Sequence, residues 1–204
     1  MYFWTELKGK VHIEPSQMNT ELYTHLKINL KKNLEQKCYK NYGFISKINA
    51  ITEKSGGIIH AENPSASAVF NIKFSCKLCN PLQHSIIVGK VQNINSLTVS
   101  LRSGPIKIVV MSKNIDPDVF YIDKYKNLVH KNESGSSLIN SGDHLKIKIL
   151  SKTFNNADQF ITAFGYIIDV ASQNDIEEYY KNEYDNVEKD FVEFNEDGER
   201  IDVV

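Results

Sequence analysis

The sequence predicts an α+β domain, with one helix on a small antiparallel sheet, followed by an all-β barrel domain and an acidic tail. Three observations predict this order. Before residue 80, one stretch of helical periodicity lies among strand-like stretches. After Pro81, only short strand-like stretches separated by turn residues follow. From Ser172 onward the composition becomes strongly acidic. The predicted boundaries are therefore 1–80, 81–171 and 172–204.

The first domain is predicted to begin with a strand over residues 2–14, where aromatic and β-branched residues mix with polar ones before Pro15. Ser16 or Asn19 can then cap the start of a helix. The helix signal is an apolar side chain at every fourth position: Met18, Leu22, Leu26, Leu30 and Leu34. This spacing predicts an amphipathic helix of about five turns.

Two β-rich stretches, 42–51 and 69–78, complete a β-α-β-β unit in the first domain. Between them, residues 54–57 contain Gly56 and Gly57 and predict a turn that needs positive φ. A polar loop around Pro64 follows.

The second domain is predicted to consist of five strands and one long connection over residues 113–141, which ends in a flexible segment at 133–137. The strand-like runs are 85–94, 97–102, 105–112, 143–154 and 158–168. Five short antiparallel strands with one long connection predict a small Greek-key barrel, of which the OB-fold is the common nucleic-acid-binding case.

The charge distribution points to an anionic partner. Residues 173–204 carry 12 acidic and 3 basic side chains, a net charge of −9, whereas residues 1–172 carry a net charge of +8. Of the basic residues, 22 are lysines and 2 are arginines. Lysine binds phosphate as a point charge, so a nucleic-acid contact would go mostly to the backbone. Two interpretations of the tail remain open: a solvating segment, or an amphipathic helix that docks on the basic body or on a partner.

Composition excludes several classes of protein. No apolar run reaches the roughly 18 residues of a membrane span, and the start lacks a secretory signal pattern. Three cysteines favour a reducing compartment over a disulfide framework. Cys76 and Cys79 supply only two thiols, whereas a closed structural zinc site needs four ligands. We therefore expect no metal, no cofactor and, since no nucleophile has a plausible base, no catalysis.

A series of short motifs, in a shared order, resembles a known family. The motifs are Met1–Phe3, Tyr42–Ile45, Gly57–Ile59, Ser67–Phe70, Pro81, Val91–Ile94, Ser103–Ile106, Ile115–Asp118 and Phe160–Gly165. Over about residues 1–170, the sequence resembles the seventh subunit of eukaryotic RNA polymerase II and the corresponding stalk protein of archaeal RNA polymerase. The Lys-, Asn- and Ile-rich composition is typical of an A/T-biased genome, which fits a large DNA virus or a protist.

The resemblance implies a non-catalytic stalk subunit of a multisubunit DNA-directed RNA polymerase. It implies three partners: the large subunits of the polymerase core, a smaller helical stalk subunit, and nascent RNA near the barrel. A nuclear location follows, or a cytoplasmic viral factory or virion if the protein is viral. The family docks on the core through a tip loop, and the matching positions are Lys54, Ser55, Gly56, Gly57, Ile58, Ile59, Asn63 and Pro64.

One departure from the family affects the expected RNA contact. The predicted second and third barrel strands, 97–102 and 105–112, contain no aromatic residue, and Thr98-Val99 replaces the usual glycine-aromatic pair. Base stacking is worth about 1–3 kcal/mol per base, so binding would instead be electrostatic and salt-sensitive. The candidate phosphate contacts, which could equally form a solvated lysine face, are Lys90, Arg102, Lys107, Lys146, Lys148 and Lys152.

Two other functions remain open. A free-standing OB-fold RNA-binding or translation factor would use the barrel and the basic body but leave the first domain unexplained. A small zinc enzyme would rest on Cys76 and Cys79 alone.

Overall fold

The computed structural model of the chain describes residues 1–123, 127–132, 135–184, 193–194 and 200–201. The chain divides into two compact units, one built from Tyr2–Cys79 with the described residues 193–194 and 200–201, and the other from Met1 and the described residues between Asn80 and Tyr184. The predicted fold class is confirmed: a helix on an antiparallel sheet precedes a closed five-stranded barrel of the OB-fold type.

The first unit is built on a five-stranded antiparallel sheet. Its strands are β1 (Tyr2–Ile13), β2 (Lys37–Tyr39), β3 (Gly43–Lys54), β4 (Ile58–Ile59) and β5 (Ala68–Cys79). Their order is β1-β5-β3-β2, and β4 also pairs with β5. Strand β5 lies at the centre and pairs with β1 from Tyr2 opposite Cys79 to Ile13 opposite Ala68. In β1, alternate residues such as Leu7, Val11 and Ile13 are buried, as expected for a strand with one face toward the core.

Helix α1 (Leu22–Leu34) covers the buried face of this sheet and is shorter than the five turns that the leucine spacing predicts. Leu26 and Leu30 are fully buried, so they anchor the apolar stripe. The prediction that the stripe starts at Met18 is wrong, because a short 3₁₀ turn precedes the helix and the Asn19 side chain accepts a hydrogen bond from the Glu21 amide at 2.9 Å. Such an Asx-type bond favours a turn over a continuing helix.

The second unit is a closed barrel. Its strands are β6 (Ile86–Ile94), β7 (Thr98–Ser103), β8 (Ile106–Met111), β12 (His144–Thr153) and β13 (Ile161–Val170). Around the barrel the order is β6-β7-β8-β13-β12, and β12 pairs with β6 to close it. All neighbours are antiparallel except β8 and β13, which run parallel from Ile106 opposite Ile161 to Val109 opposite Phe164. The barrel leaves no open edge among these five strands.

The barrel interior is filled by β-branched and leucine side chains. Val91, Leu101 and Ile147 are among those almost fully buried. Gly165 in β13 lies so close to Ile147 that a Cβ atom there would come within 2.4 Å of the isoleucine Cγ2. A glycine at this position therefore lets β12 and β13 pack closely.

The long connection between β8 and β12 contains a sheet that the sequence did not predict. After a 3₁₀ turn at Ser112–Asn114, three strands follow: β9 (Phe120–Ile122), β10 (Leu128–Asn132) and β11 (Gly135–Ile139). Strand β10 lies in the middle and pairs antiparallel with both others. Part of the segment predicted to be flexible, Gly135–Ser137, thus forms strand β11; residues 133 and 134 lie outside the described residues.

Helix α2 (Gln173–Tyr184) begins the acidic segment. Beyond it, the structure describes only two short strands, β14 (Glu193–Phe194) and β15 (Arg200–Ile201), which pair antiparallel. Helix α2 therefore accounts for residues 173–184 of the predicted acidic tail, Phe194 lies in β14, and residues 185–192, 195–199 and 202–204 lie outside the described residues. Neither helix that the structure describes has the length and apolar character needed to traverse a lipid bilayer.

Candidate functional site

The tip-loop residues of the first unit present two adjacent isoleucines to solvent. Strand β4 places Ile58 opposite Val69 and Ile59 opposite Ala68, so backbone pairing with β5 holds both residues in position. Ile58 is 53% and Ile59 56% exposed. A pair of large, exposed apolar side chains held on a short strand is typical of a contact surface.

The rest of the loop is ordered by its own polar side chains. Two hydrogen bonds join Ser55 to Asn71: Ser55 N donates to Asn71 O at 2.8 Å, and Asn71 N donates to the side-chain Oγ of Ser55 at 3.0 Å. Farther along, Asn63 accepts from the amide of Ser65 at 3.1 Å and donates to Ser67 Oγ at 2.7 Å. These bonds give the predicted docking segment, from Lys54 at the end of β3 to Pro64, a defined shape.

The two glycines of this loop serve a different purpose from the one predicted. Neither Gly56 nor Gly57 has positive φ, so the expectation of a left-handed turn is wrong. A Cβ atom at Gly57 would lie 2.6 Å from Cζ of the buried Phe70 ring, whereas a Cβ at Gly56 would meet nothing within 4 Å. Gly57 is therefore required by close packing of the backbone on Phe70.

Three of the six predicted RNA-contact residues form one row across the barrel. Lys90 of β6 lies opposite Arg102 of β7, and Arg102 lies opposite Lys107 of β8. Paired residues on neighbouring strands point to the same face, and all three side chains are exposed on the outside of the barrel. His144 of β12 is opposite Lys90 and extends the row. We call Lys90, Arg102 and Lys107 the basic row.

The other three predicted residues lie on β12 and have different surroundings. Lys146 forms an ion pair with Asp175 of α2, with 2.8 Å between Nζ and Oδ2. Lys152 donates hydrogen bonds to the side chain of Asn80 and to the carbonyl of Pro81, so its ammonium group holds the segment that leads into the barrel. Lys148 is exposed.

Two aromatic residues that were not predicted as RNA contacts lie beside the basic row. Phe160, 40% exposed, precedes β13, and the Arg102 guanidinium carbon is 4.9 Å from the centre of its ring. Tyr180 of α2 has its hydroxyl 3.1 Å from Nε2 of His144. The expectation of stacking residues was restricted to the barrel strands and did not include these two, because they come from a loop and from a helix more than 70 residues away from β7 along the chain.

The charge of the basic row affects His144. Partial burial, together with the positive charge of Lys90, lowers the pKa of His144 below its usual value, although Asp143 opposes the shift. The neutral imidazole is therefore favoured at neutral pH, where it can share a hydrogen bond with the Tyr180 hydroxyl.

The surroundings of the three cysteines do not suit metal binding. Cys38, Cys76 and Cys79 are all buried free thiols, and burial raises the pKa of Cys76 to about 12. Such a thiol stays protonated and is a poor metal ligand. In the parts of the chain that the structure describes, no group of three or more His, Cys, Asp or Glu residues is placed to hold a metal ion.

The family of the chain follows from comparisons with known proteins. No family model matches the chain. Among curated proteins, the chain is 32% identical over 179 residues to a protein of Acanthamoeba polyphaga mimivirus assigned as a DNA-directed RNA polymerase subunit, covering 88% of each chain. It is 26% identical over 149 residues to RNA polymerase II subunit rpb7 of Dictyostelium discoideum, covering 73% of this chain and 86% of the relative.

An archaeal relative extends the comparison. The chain is 24% identical over 158 residues to RNA polymerase subunit Rpo7 of Sulfolobus acidocaldarius, covering 76% of this chain and 84% of the relative. These alignments span most of both chains, so they include more than the barrel alone. With a helix on an antiparallel sheet followed by an OB-type barrel, and with these relatives from a virus, a eukaryote and an archaeon, the chain belongs to the Rpb7/Rpo7 family of DNA-directed RNA polymerase subunits.

Proposed function

We propose that the protein is a non-catalytic stalk subunit of a DNA-directed RNA polymerase that docks on the polymerase core through its tip loop. The observation that carries this proposal is the match over 88% of the chain to a viral RNA polymerase subunit. The predicted division at 1–80, 81–171 and 172–204 then separates a docking domain, an RNA-facing barrel and an acidic extension.

The exposed isoleucine pair supports docking through the first unit. Burial of apolar surface contributes about 25 cal/mol per Å², so Ile58 and Ile59 together can supply a large part of a contact. Since both are on a strand that is already paired, little conformational entropy is lost when a partner covers them. The large subunits of the polymerase core are the proposed partner, and a smaller helical stalk subunit is the second.

The basic row supports a position of the barrel close to nascent RNA. Its three cations lie on neighbouring strands, which suits contact with successive phosphates. The proposed site of action is the nucleus or, in view of the mimivirus relative, a cytoplasmic viral factory or virion.

A substitution pair tests docking. The double variant Ile58→Ser/Ile59→Ser should fold normally, because both side chains are exposed, but should fail to co-purify with the polymerase core. The matched control is Leu82→Ser/Ile86→Ser, since these residues are 71% and 60% exposed on the barrel unit. Equal recovery of the core with both variants would refute the tip loop as the docking site.

The alternative function, a free-standing OB-fold RNA-binding or translation factor, is favoured by the basic row alone. It predicts tight binding of single-stranded RNA by the isolated protein and no association with polymerase subunits. A pull-down from native lysate with identification of the retained proteins separates the two functions, because only the stalk subunit should retain the large polymerase subunits.

A further inference from the structure

We propose that the barrel binds single-stranded RNA at a composite site in which the basic row holds the phosphates while Phe160 and Tyr180, from outside the barrel strands, stack on bases. This inference rests on the proposed RNA contact of the barrel and specifies its chemistry. It replaces the expectation, drawn from strands β7 and β8 alone, that binding is purely electrostatic.

The extent of the row fits a strand of RNA. His144, Lys90, Arg102 and Lys107 lie opposite one another on four adjacent strands. Neighbouring strands are about 4.8 Å apart, so the row crosses the barrel over roughly 14 Å. A strand of RNA that follows the row would run across the β-strands and meet one basic side chain after another.

Phe160 lies beside the middle of the row. The guanidinium of Arg102 is fixed from two directions, since it lies 4.9 Å from the ring centre of Phe160 and its Nε donates to the carbonyl of Gly104 at 3.1 Å. An arginine over an aromatic ring presents a flat, charged surface on which a base can stack while the charge attracts phosphate. The 40% exposure of Phe160 leaves ring surface accessible beside the row.

Tyr180 lies beside His144, at one end of the row. Helix α2 is attached to the barrel by the ion pair between Asp175 and Lys146 and by the hydroxyl of Tyr179, which lies 2.8 Å from Oγ of the buried Ser103. These contacts hold the neighbouring Tyr180, 36% exposed, against His144. The two aromatic rings thus lie at different strands of the row, as stacking of separate bases requires.

Helix α2 also carries exposed carboxylates, Glu177 and Glu178, so a competing role is that it covers the row and repels RNA. The two roles predict opposite changes in RNA affinity. If Tyr180 stacks on a base, its loss weakens RNA binding; if α2 acts as a cover, loosening it strengthens binding.

The test measures binding of a fluorescent 12-nucleotide oligouridylate to the full-length chain by anisotropy over a salt series. Phe160→Leu and Tyr180→Leu should each weaken binding by roughly 5- to 150-fold, the range expected for one lost stack. Because neither change removes a phosphate contact, the slope of log affinity against log salt should stay the same. Lys90→Gln/Lys107→Gln should instead reduce that slope by about 1.4.

Two controls guard against indirect effects. Tyr180→Phe keeps the ring and should bind as the unsubstituted chain does. Tyr121→Leu removes a 40% exposed ring that lies 5.4 Å from the ammonium of Lys131, in the small sheet and off the row, and should leave affinity unchanged. A loss with Tyr121→Leu equal to that with Phe160→Leu would overturn the composite site.

The outcomes separate this inference from the proposed function. If the lysine variants lower the salt slope while Phe160→Leu and Tyr180→Leu bind normally, the RNA contact stands and the composite site is refuted. If Tyr180→Leu binds more tightly, α2 is a cover and the inference is wrong. If the unsubstituted chain does not bind the oligonucleotide, both the RNA contact and the composite site fail, whereas polymerase docking is unaffected.

Discussion

Lys146 of β12 and Asp175 of α2 are joined by an ion pair with 2.8 Å between Nζ and Oδ2. This contact connects the first turn of the acidic segment to the basic barrel, so the opposite charges of the two parts of the chain meet within one unit. Asp175 also accepts a hydrogen bond from the amide of Ser172 at 2.9 Å, which satisfies a donor at the start of the helix.

Replacing Asp175 should loosen α2. Bonds from Lys146 first, and from Ser172, lower the pKa of Asp175 to about 2, so the carboxylate is charged at neutral pH and both contacts depend on it. Asp175→Asn should speed hydrogen–deuterium exchange of the α2 amides several-fold and leave the barrel strands protected. Glu178→Gln, at an exposed carboxyl on the same helix, is the control; similar exchange in both variants would contradict a role for the ion pair.

Docking of α2 on the barrel should also depend on pH through Asp175. Its pKa is lower in the folded chain than its usual value of about 3.8, so its contribution to α2 docking is complete above pH 3.8 and is lost as the pH falls toward 2. The carboxyl carbon shift of Asp175 followed by NMR should titrate in this lower range. A midpoint at or above pH 3.8 would contradict the arrangement.

The pKa of His144 should respond to Lys90. Partial burial and the charge of Lys90 lower it, so the folded chain binds this proton less readily than the unfolded chain, whose histidine titrates near pH 6.5. The stability that His144 contributes is therefore complete above about pH 6.5 and is lost as the pH falls through its folded pKa. Lys90→Met should raise the pKa of His144 in an NMR titration. Lys107→Met should change it much less, because Lys107 lies two strands farther along the row than Lys90.

The two tip-loop glycines should tolerate alanine very differently. Gly57→Ala should lower the free energy of unfolding of the first unit by about 1–3 kcal/mol, because the new methyl group overlaps the Phe70 ring. Gly56→Ala should change it by less than about 0.5 kcal/mol, since the space around Gly56 is open. Chemical denaturation measures both, and equal effects would show that the loop adopts another conformation.

The thiol of Cys76 should be unreactive while the protein is folded. Its pKa of about 12 leaves almost no thiolate at pH 8, and only the thiolate reacts readily with disulfide reagents. Treatment with such a reagent, followed by mass spectrometry, should leave Cys76 unmodified in the native protein and fully modified in denaturant. Rapid labelling of the native chain would place Cys76 outside the core.

Much of the fold could be predicted because its signals are local. The mixture of aromatic, β-branched and polar residues before Pro15 marked β1, and turn residues such as Gly104-Pro105 separated the barrel strands. The sheet formed by β9, β10 and β11 was not predicted, since its strands have three to five residues each and show too little alternation to stand out from a loop. Helix α1 was predicted to include Met18 but begins at Leu22. The hydrogen bond that the Asn19 side chain accepts from the Glu21 amide favours a turn there, and the spacing of apolar residues does not reveal it.

The sequence by itself determined the order of the two domains, the asymmetry of charge and the family resemblance carried by a succession of motifs. Only the tertiary structure decided which lysines share one face, that Gly57 is needed for contact with Phe70, and that Phe160 and Tyr180 lie beside Arg102 and His144. The physical reason is that strand register and barrel closure join residues far apart in the chain, and no periodicity within a single segment specifies which side chains will meet.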